Sequence, residues 1–136
     1  MLHSGMVLAA PQSGSGKTTI ARLLPRFWDV QEGRISIGGV DVRDISKESL
    51  MDSIAFVFQQ AHLFKTTLWE NLIYGKSNAT KEKVNRAIDA AQCREIIDRL
   101  PDGLQTKIGA EGTYLSGGEQ QRIVLARAIL KNAPIV

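Results

Sequence analysis

The chain has 136 residues, 17 basic and 14 acidic, for a formal net charge of +3; it is 43% hydrophobic and 23% charged, which fits one globular domain and argues against long disorder, a collagen repeat or a mucin-like stalk. The basic residues are scattered rather than striped, so no dedicated nucleic-acid surface is indicated. The single cysteine, Cys93, cannot form an internal disulfide and points to a reducing, intracellular compartment, and no stretch has the length of a membrane span or the layout of a secretory signal.

In chain order, Met6–Ala10 is a continuous apolar run, the pattern of a strand buried on both faces. A small Gly/Ser-rich loop, residues 11–16, leads into a helix opened by Lys17-Thr18-Thr19, with Ile20, Ala21, Leu23 and Leu24 apolar and Pro25 at or just past its end. Arg34–Ile37 and Val40–Val42 read as two short strands around a Gly38-Gly39 turn. Ser46–Asp52 is a polar helix candidate, and Ile54–Phe58 a second buried-type strand, ending in Gln59-Gln60.

Thr67-x-x-Glu70 has the spacing of a capping box, so a helix starts there. Val84, Ala87, Ile88 and Ala91 fall at i, i+3, i+4 and i+7, giving an amphipathic helix over Lys81–Ala91. Arg94–Leu100 continues helical until Pro101-Asp102-Gly103. Residues 109–118 read as loop and Glu119–Lys131 as a long helix, acidic at its start and basic at its end, stopped by Asn132-Ala133-Pro134. The alternation is that of an α/β sheet domain with a helical insertion from about Lys65 to Lys131. The chain opens almost directly into one strand candidate, and Ile135-Val136 begin another with nothing after it to pair. It is therefore expected to be a piece of a longer protein, of low stability by itself because its sheet lacks neighbouring strands.

Two glycine motifs carry the chemistry. Ser13-Gly14-Ser15-Gly16-Lys17-Thr18-Thr19 lies between a buried strand and a helix, the setting of a P-loop. Glycines let backbone N–H groups turn inward around phosphates, and the new helix adds free N–H groups and its positive dipole end. Lys17 supplies a charge for the β/γ-phosphates, and Thr18 a hydroxyl for Mg²⁺. The first glycine of the usual pattern is replaced by Pro11, which fixes φ and removes an N–H.

The second motif is Leu115-Ser116-Gly117-Gly118-Glu119-Gln120-Gln121-Arg122. Ser116-x-x-Glu119 is another capping box. Capping leaves unexplained two glycines in a first helical turn, each about 1 kcal/mol worse than Ala. Such glycines suit close approach by an anion or another backbone, and two facing chains could bring both motifs to one phosphate group.

This pair of motifs resembles the Walker A and signature motifs of ATP-binding cassette (ABC) ATPases. Gln59 falls where that family has its Q-loop glutamine, and Leu63–Gly75, Arg26–Asp29, Gly33–Gly39 and Ile108–Gly112 are similar to its connecting stretches. The resemblance covers essentially the whole chain and is nearest to exporter-type transporters.

The resemblance implies an α/β fold of P-loop NTPase (RecA-like) type. It would comprise an incomplete sheet core over residues 1–64, an inserted helical subdomain carrying the signature motif over 65–131, and the start of the Walker B strand at 132–136. It implies ATP and Mg²⁺ as ligands. Ser13, Gly14, Ser15, Gly16, Lys17, Thr18 and Thr19 would hold the triphosphate, with Thr18 and Gln59 at Mg²⁺. Ser116, Gly117, Gly118 and Glu119 would close on the γ-phosphate held by a second nucleotide-binding domain in a head-to-tail dimer. Lys17, Gln59 and Ser116 are the catalytic candidates. Residues His62–Trp69 would meet a coupling helix of the transmembrane domain, at the cytoplasmic face of the cell membrane, with no nucleic-acid partner. The Walker B Asp, the general-base Glu, the switch histidine and the adenine-stacking aromatic have no counterpart in the sequence, so the 136 residues alone are expected to be inactive. A DNA-repair or chromosome-organising ATPase is the alternative of another class, disfavoured because no heptad run separates Gln59 from Leu115. A soluble ABC protein of translation is disfavoured by the exporter-like segment after Gln59. A truncated, non-catalytic cassette is the other alternative.

Overall fold

The computed structural model describes residues 16–58, 60–109 and 114–134. The chain divides into two compact units, Met1–Ala55 with Ala133–Val136, and Phe56–Asn132.

In the first unit, helix α1 spans Lys17–Leu23. It ends as its apolar pattern and Pro25 predict. Arg26 takes φ 56°, and the N–H groups of Arg26 and Phe27 donate to the carbonyls of Leu23 and Arg22, closing the last turn. Strands β1 (Ser36–Ile37) and β2 (Val40–Asp41) pair antiparallel, with Ser36 opposite Asp41 and Ile37 opposite Val40. Gly38 and Gly39 connect them with φ of 57° and 84°, the double left-handed geometry that suits a two-residue hairpin. A 3₁₀ turn over Val42–Asp44 follows, started by the Asp41 side chain accepting from the Arg43 N–H. Helix α2, Lys47–Ser53, is capped by Ser46 and buries Leu50 completely.

The pairing of the predicted strand Ile54–Phe58 is described only in part, because Gln59 and every residue before Gly16 lie outside the described residues. Ile54 is extended and buried with Ala55, but Val57 and Phe58 are 41% and 59% exposed, and no named strand spans them. Ile54 itself takes part in a β-bridge. The other predicted strand, Met6–Ala10, and the strand start at Ile135-Val136 lie outside the described residues.

The second unit is helical: α3 (Leu68–Ile73), α4 (Lys81–Ala90), α5 (Arg94–Arg99), a 3₁₀ turn (Gly103–Gln105) and α6 (Gly117–Lys131). Both predicted capping boxes are formed, at Thr67/Glu70 and at Ser116/Glu119. The second starts α6 two residues ahead of the apolar pattern, so Gly117 and Gly118 are its first two helical residues. Gln92, at φ 55°, turns the chain between α4 and α5, with the Cys93 N–H donating to the Ile88 carbonyl. Helix α6 packs on α3 and α4, and the core between them contains Leu68, Leu72, Val84, Ile88, Cys93, Ile96, Ile123, Ala126 and Leu130. The segment before α3 is pinned by the Ile108 N–H on the Thr66 carbonyl and the Leu68 N–H on the Thr106 carbonyl. Among the described residues no helix is long and apolar enough to cross a membrane.

Candidate functional site

Of the predicted phosphate loop, Ser13, Gly14 and Ser15 lie outside the described residues, as does Gln59, and only the backbone of Lys17 and Thr18 is described. Gly16 stands at the start of α1 with φ 77°, a conformation L side chains rarely adopt. Among the described residues no side chain caps α1, and its first turn carries no acidic residue. The free N–H groups and positive dipole end thus meet no competing carboxylate from within the helix, which fits an anion. Thr19 is exposed in the first turn.

The second motif is described completely from Tyr114 onward. Leu115 is buried and anchors the approach to α6, and the Gln120 side chain donates to its carbonyl at 2.9 Å. Ser116 Oγ accepts the Glu119 N–H at 3.3 Å, and Glu119 Oε2 accepts the Ser116 N–H at 2.8 Å. The other carboxylate oxygen, Oε1, accepts from Arg99 Nη2 at 2.5 Å. The Ser116 N–H, and then the Arg99 guanidinium, hold the Glu119 carboxyl below its ordinary range. Gly117 and Gly118 are exposed, and a Cβ added to either would meet nothing within 4 Å. Neither has a positive φ. Neither packing among the described residues nor backbone conformation therefore requires glycine at these positions. What they leave is bare backbone at a helix N-terminus, open to something outside the unit.

The apolar residues of the predicted coupling segment divide by role. Leu68 is fully buried, and Leu63 and Trp69 pack partly against the core. Phe64 is 44% exposed and lies against Tyr74, itself 61% exposed, with ring centroids 4.5 Å apart. His62 is also exposed.

Sequence reading missed two arginines. Arg99, at the end of α5, reaches the capping carboxylate of α6, and Arg127, within α6, reaches Asn71 and His62. Helical spacing could not identify either, because their partners are 20 to 65 residues away. A groove of about 370 Å³ lined by Lys76, Lys83, Arg86, Ala87, Ala90, Ile129, Leu130 and Asn132 contains none of the predicted site residues. Among the described residues no cluster of three or more metal-binding side chains occurs.

Comparison with known proteins agrees with the two-motif reading. A family model described as ABC transporter matches residues 7–136. The ATP-dependent lipid A-core flippase of Thiobacillus denitrificans is 52% identical over 125 residues, covering 91% of this chain and 22% of that protein. The mitochondrial iron-sulfur clusters transporter ATM1 of Candida albicans is 49% identical over 123 residues, covering 90% of this chain and 16% of that protein. Among solved structures, that of a bacterial Atm1-family ABC exporter with ATP bound matches with a TM-score of 0.83 and 43% identity, over 91% of this chain and 22% of that one. The chain thus spans 16–22% of the length of these relatives.

Proposed function

The chain belongs to the ABC transporter family, and we propose that it is the ATP-binding and ATP-hydrolysing part of an exporter-type transporter. The observation that carries this reading beyond the family is the pair of open glycines at the start of α6. Among the described residues their small size serves no contact. It serves the approach of a phosphate held by another chain.

In this reading Ser13–Thr19 wrap the triphosphate with backbone N–H groups, and Lys17 places its charge at the β/γ-phosphates. Thr18 and Gln59 would hold Mg²⁺, which supplies charge neutralisation at the transferring phosphoryl group when bound. Ser116, Gly117 and Gly118 present a hydroxyl, bare backbone and a helix dipole to the γ-phosphate across a head-to-tail dimer, and Glu119 holds Ser116 in place. Closure of two such domains around nucleotide, and reopening after hydrolysis, would drive a transmembrane domain through contacts near His62–Trp69 at the cytoplasmic face of the membrane. The domain plan of this reading is a P-loop sheet core over 1–64, a helical subdomain over 65–131 and the first residues of a Walker B strand at 132–136.

The cargo is left open for a physical reason. Relatives named for lipid A-core and for iron-sulfur clusters are almost equally similar over this segment, at 52% and 49% identity. A segment that similar across different cargoes serves the energy supply rather than the choice of cargo. A polypeptide of these 136 residues made alone includes no Asp-Glu pair for a second Mg²⁺ ligand and a general base, and we propose that it hydrolyses ATP negligibly.

The test is Ser116→Arg in the complete transporter. ATP binding to the separated subunit should persist while nucleotide-driven dimer closure and turnover are lost. Full turnover in Ser116→Arg would show that this motif does not act across a dimer. Lys17→Ala should lose turnover through weakened nucleotide binding.

A further inference from the structure

Glu119 brings a carboxylate into the first turn of α6, next to the two glycines that the proposed function sets against a γ-phosphate. In a helix standing alone this charge is favourable, because it faces the positive dipole end. For a helix that must receive a phosphate it is a liability, because like charges repel. The geometry shows how the two requirements are reconciled. One carboxylate oxygen is taken by the Ser116 N–H at 2.8 Å, and the other by Arg99 Nη2 at 2.5 Å. The glutamate is mostly covered, with 13% of its side chain exposed, while the arginine is 61% exposed. Arg99 comes from α5, so the cation is delivered from outside the helix whose end it protects.

We propose that Arg99 is a positioning residue of the signature motif: it neutralises and orients the Glu119 carboxylate so that the start of α6 can still receive a nucleotide phosphate. The proposal rests on the functional reading given above. An ion pair whose cation stays largely in water contributes little to folding. Its consequence here lies in the local field at the glycines and in the orientation of Ser116, whose N–H the same carboxylate holds. The contact uses one arginine nitrogen, so a lysine can supply the same charge to the same oxygen.

The experiment is steady-state ATP hydrolysis by the complete transporter with MgATP varied, in the wild type, Arg99→Ala, Arg99→Lys, Glu119→Gln and the Arg99→Ala/Glu119→Gln pair. Arg99→Ala should raise the KM for MgATP about three- to tenfold, the order expected of one uncompensated charge near the bound anion. Its melting temperature should stay at the wild-type value, and Arg99→Lys should recover most of the KM. In the Glu119→Gln background, where no charge needs neutralising, adding Arg99→Ala should change KM by less than about 1.5-fold. An unchanged KM in Arg99→Ala, or the same rise in both backgrounds, overturns the proposal. So does a lowered melting temperature with KM unmoved, which would make the pair a structural tie only. Ser116→Arg, measured alongside, separates the two levels. If it retains full turnover, the γ-phosphate reading fails and this proposal with it. If it abolishes turnover while the Arg99→Ala effect is equal in both backgrounds, only the role of Arg99 fails.

Discussion

Arg127 on α6 holds Asn71 on α3 by main chain and side chain at once: its Nε donates to the Asn71 carbonyl at 2.7 Å and its Nη2 to Asn71 Oδ1 at 3.1 Å. Asn71 has no exposed surface. Its amide donates to the carbonyls of Phe64 and Thr67, each at 3.0 Å, and its Oδ1 also accepts the Phe64 N–H at 2.8 Å. The third arginine nitrogen, Nη1, donates to the His62 carbonyl at 3.4 Å, and the guanidinium lies over the rings of Phe64 and Tyr74. Burial pulls its pKa below the ordinary arginine value. The arginine stays protonated, and carbonyl dipoles and ring faces meet its charge. One side chain thereby ties residues 62–74, which include the His62–Trp69 stretch proposed to face the transmembrane domain, to the helix that begins with the signature glycines.

Removing this tie should be costly. Arg127→Ala leaves the Asn71 carbonyl and the fully buried Asn71 amide short of donors, and should destabilise the protein by about 1–3 kcal/mol. Arg127→Lys should recover less than half of that, because an ammonium cannot span three oxygens and two rings as a planar fork does. Thermal unfolding of the two variants checks this. Equal stability of Arg127→Lys and wild type would show that only the charge matters.

Cys93 should be inert. It is fully buried, and burial pushes its thiol pKa above the ordinary value, outweighing the opposing influence of Arg122. A thiol reagent at pH 8 should leave it unlabelled in the native protein and label it in urea. Because the native state disfavours the thiolate, the stability tied to this group is fully present below pH 9.0 and falls as pH rises beyond it. Rapid native-state labelling would mean that the helical core opens far more often than its packing implies.

Asp41 sets part of the acid limit of the first unit. The Arg43 side chain and then the Arg43 N–H lower its pKa from 3.8 to about 2. A depressed carboxylate pKa contributes stability above the unfolded value, and that contribution is lost as pH falls from 3.8 toward about 2. The Arg43 partner is exposed to solvent, so the effect should be small and should shrink in high salt. Acid titration of stability in Asp41→Asn against wild type, at low and high salt, measures it; an identical acid limb in the two proteins would show that the contact does not persist in solution.

Local signals were the legible part of this molecule. The capping boxes at Thr67/Glu70 and Ser116/Glu119, the hairpin at Gly38-Gly39 and the buried stripe of Val84, Ala87 and Ile88 each need only a few neighbouring residues, and each is formed as the sequence predicts. Ile54–Phe58 reads as a buried strand from its apolar run, and Ile54 takes part in a β-bridge. A strand is a relationship with neighbours, and the chain before Gly16, where the other predicted strand falls, lies outside the described residues. Arg99 and Arg127 were illegible for a related reason. Both look like ordinary polar positions on helices, and their roles come from carboxylate or carbonyl oxygens brought near by tertiary packing. At the glycines the sequence revealed a misfit with helix propensity. The structure adds that no contact among the described residues explains it.

That misfit gives the most direct test. Gly118→Ala adds one Cβ into open space at the start of α6. Within the fold it should be neutral or stabilising by up to about 1 kcal/mol, because Ala is the better helix former. In the complete transporter the same Cβ should obstruct the approach of nucleotide across the dimer and lower ATP turnover at least about tenfold. A melting temperature at or above wild type together with that loss of turnover is the expected result. Wild-type turnover in Gly118→Ala would contradict the claim that these glycines exist to receive a phosphate from outside their own unit.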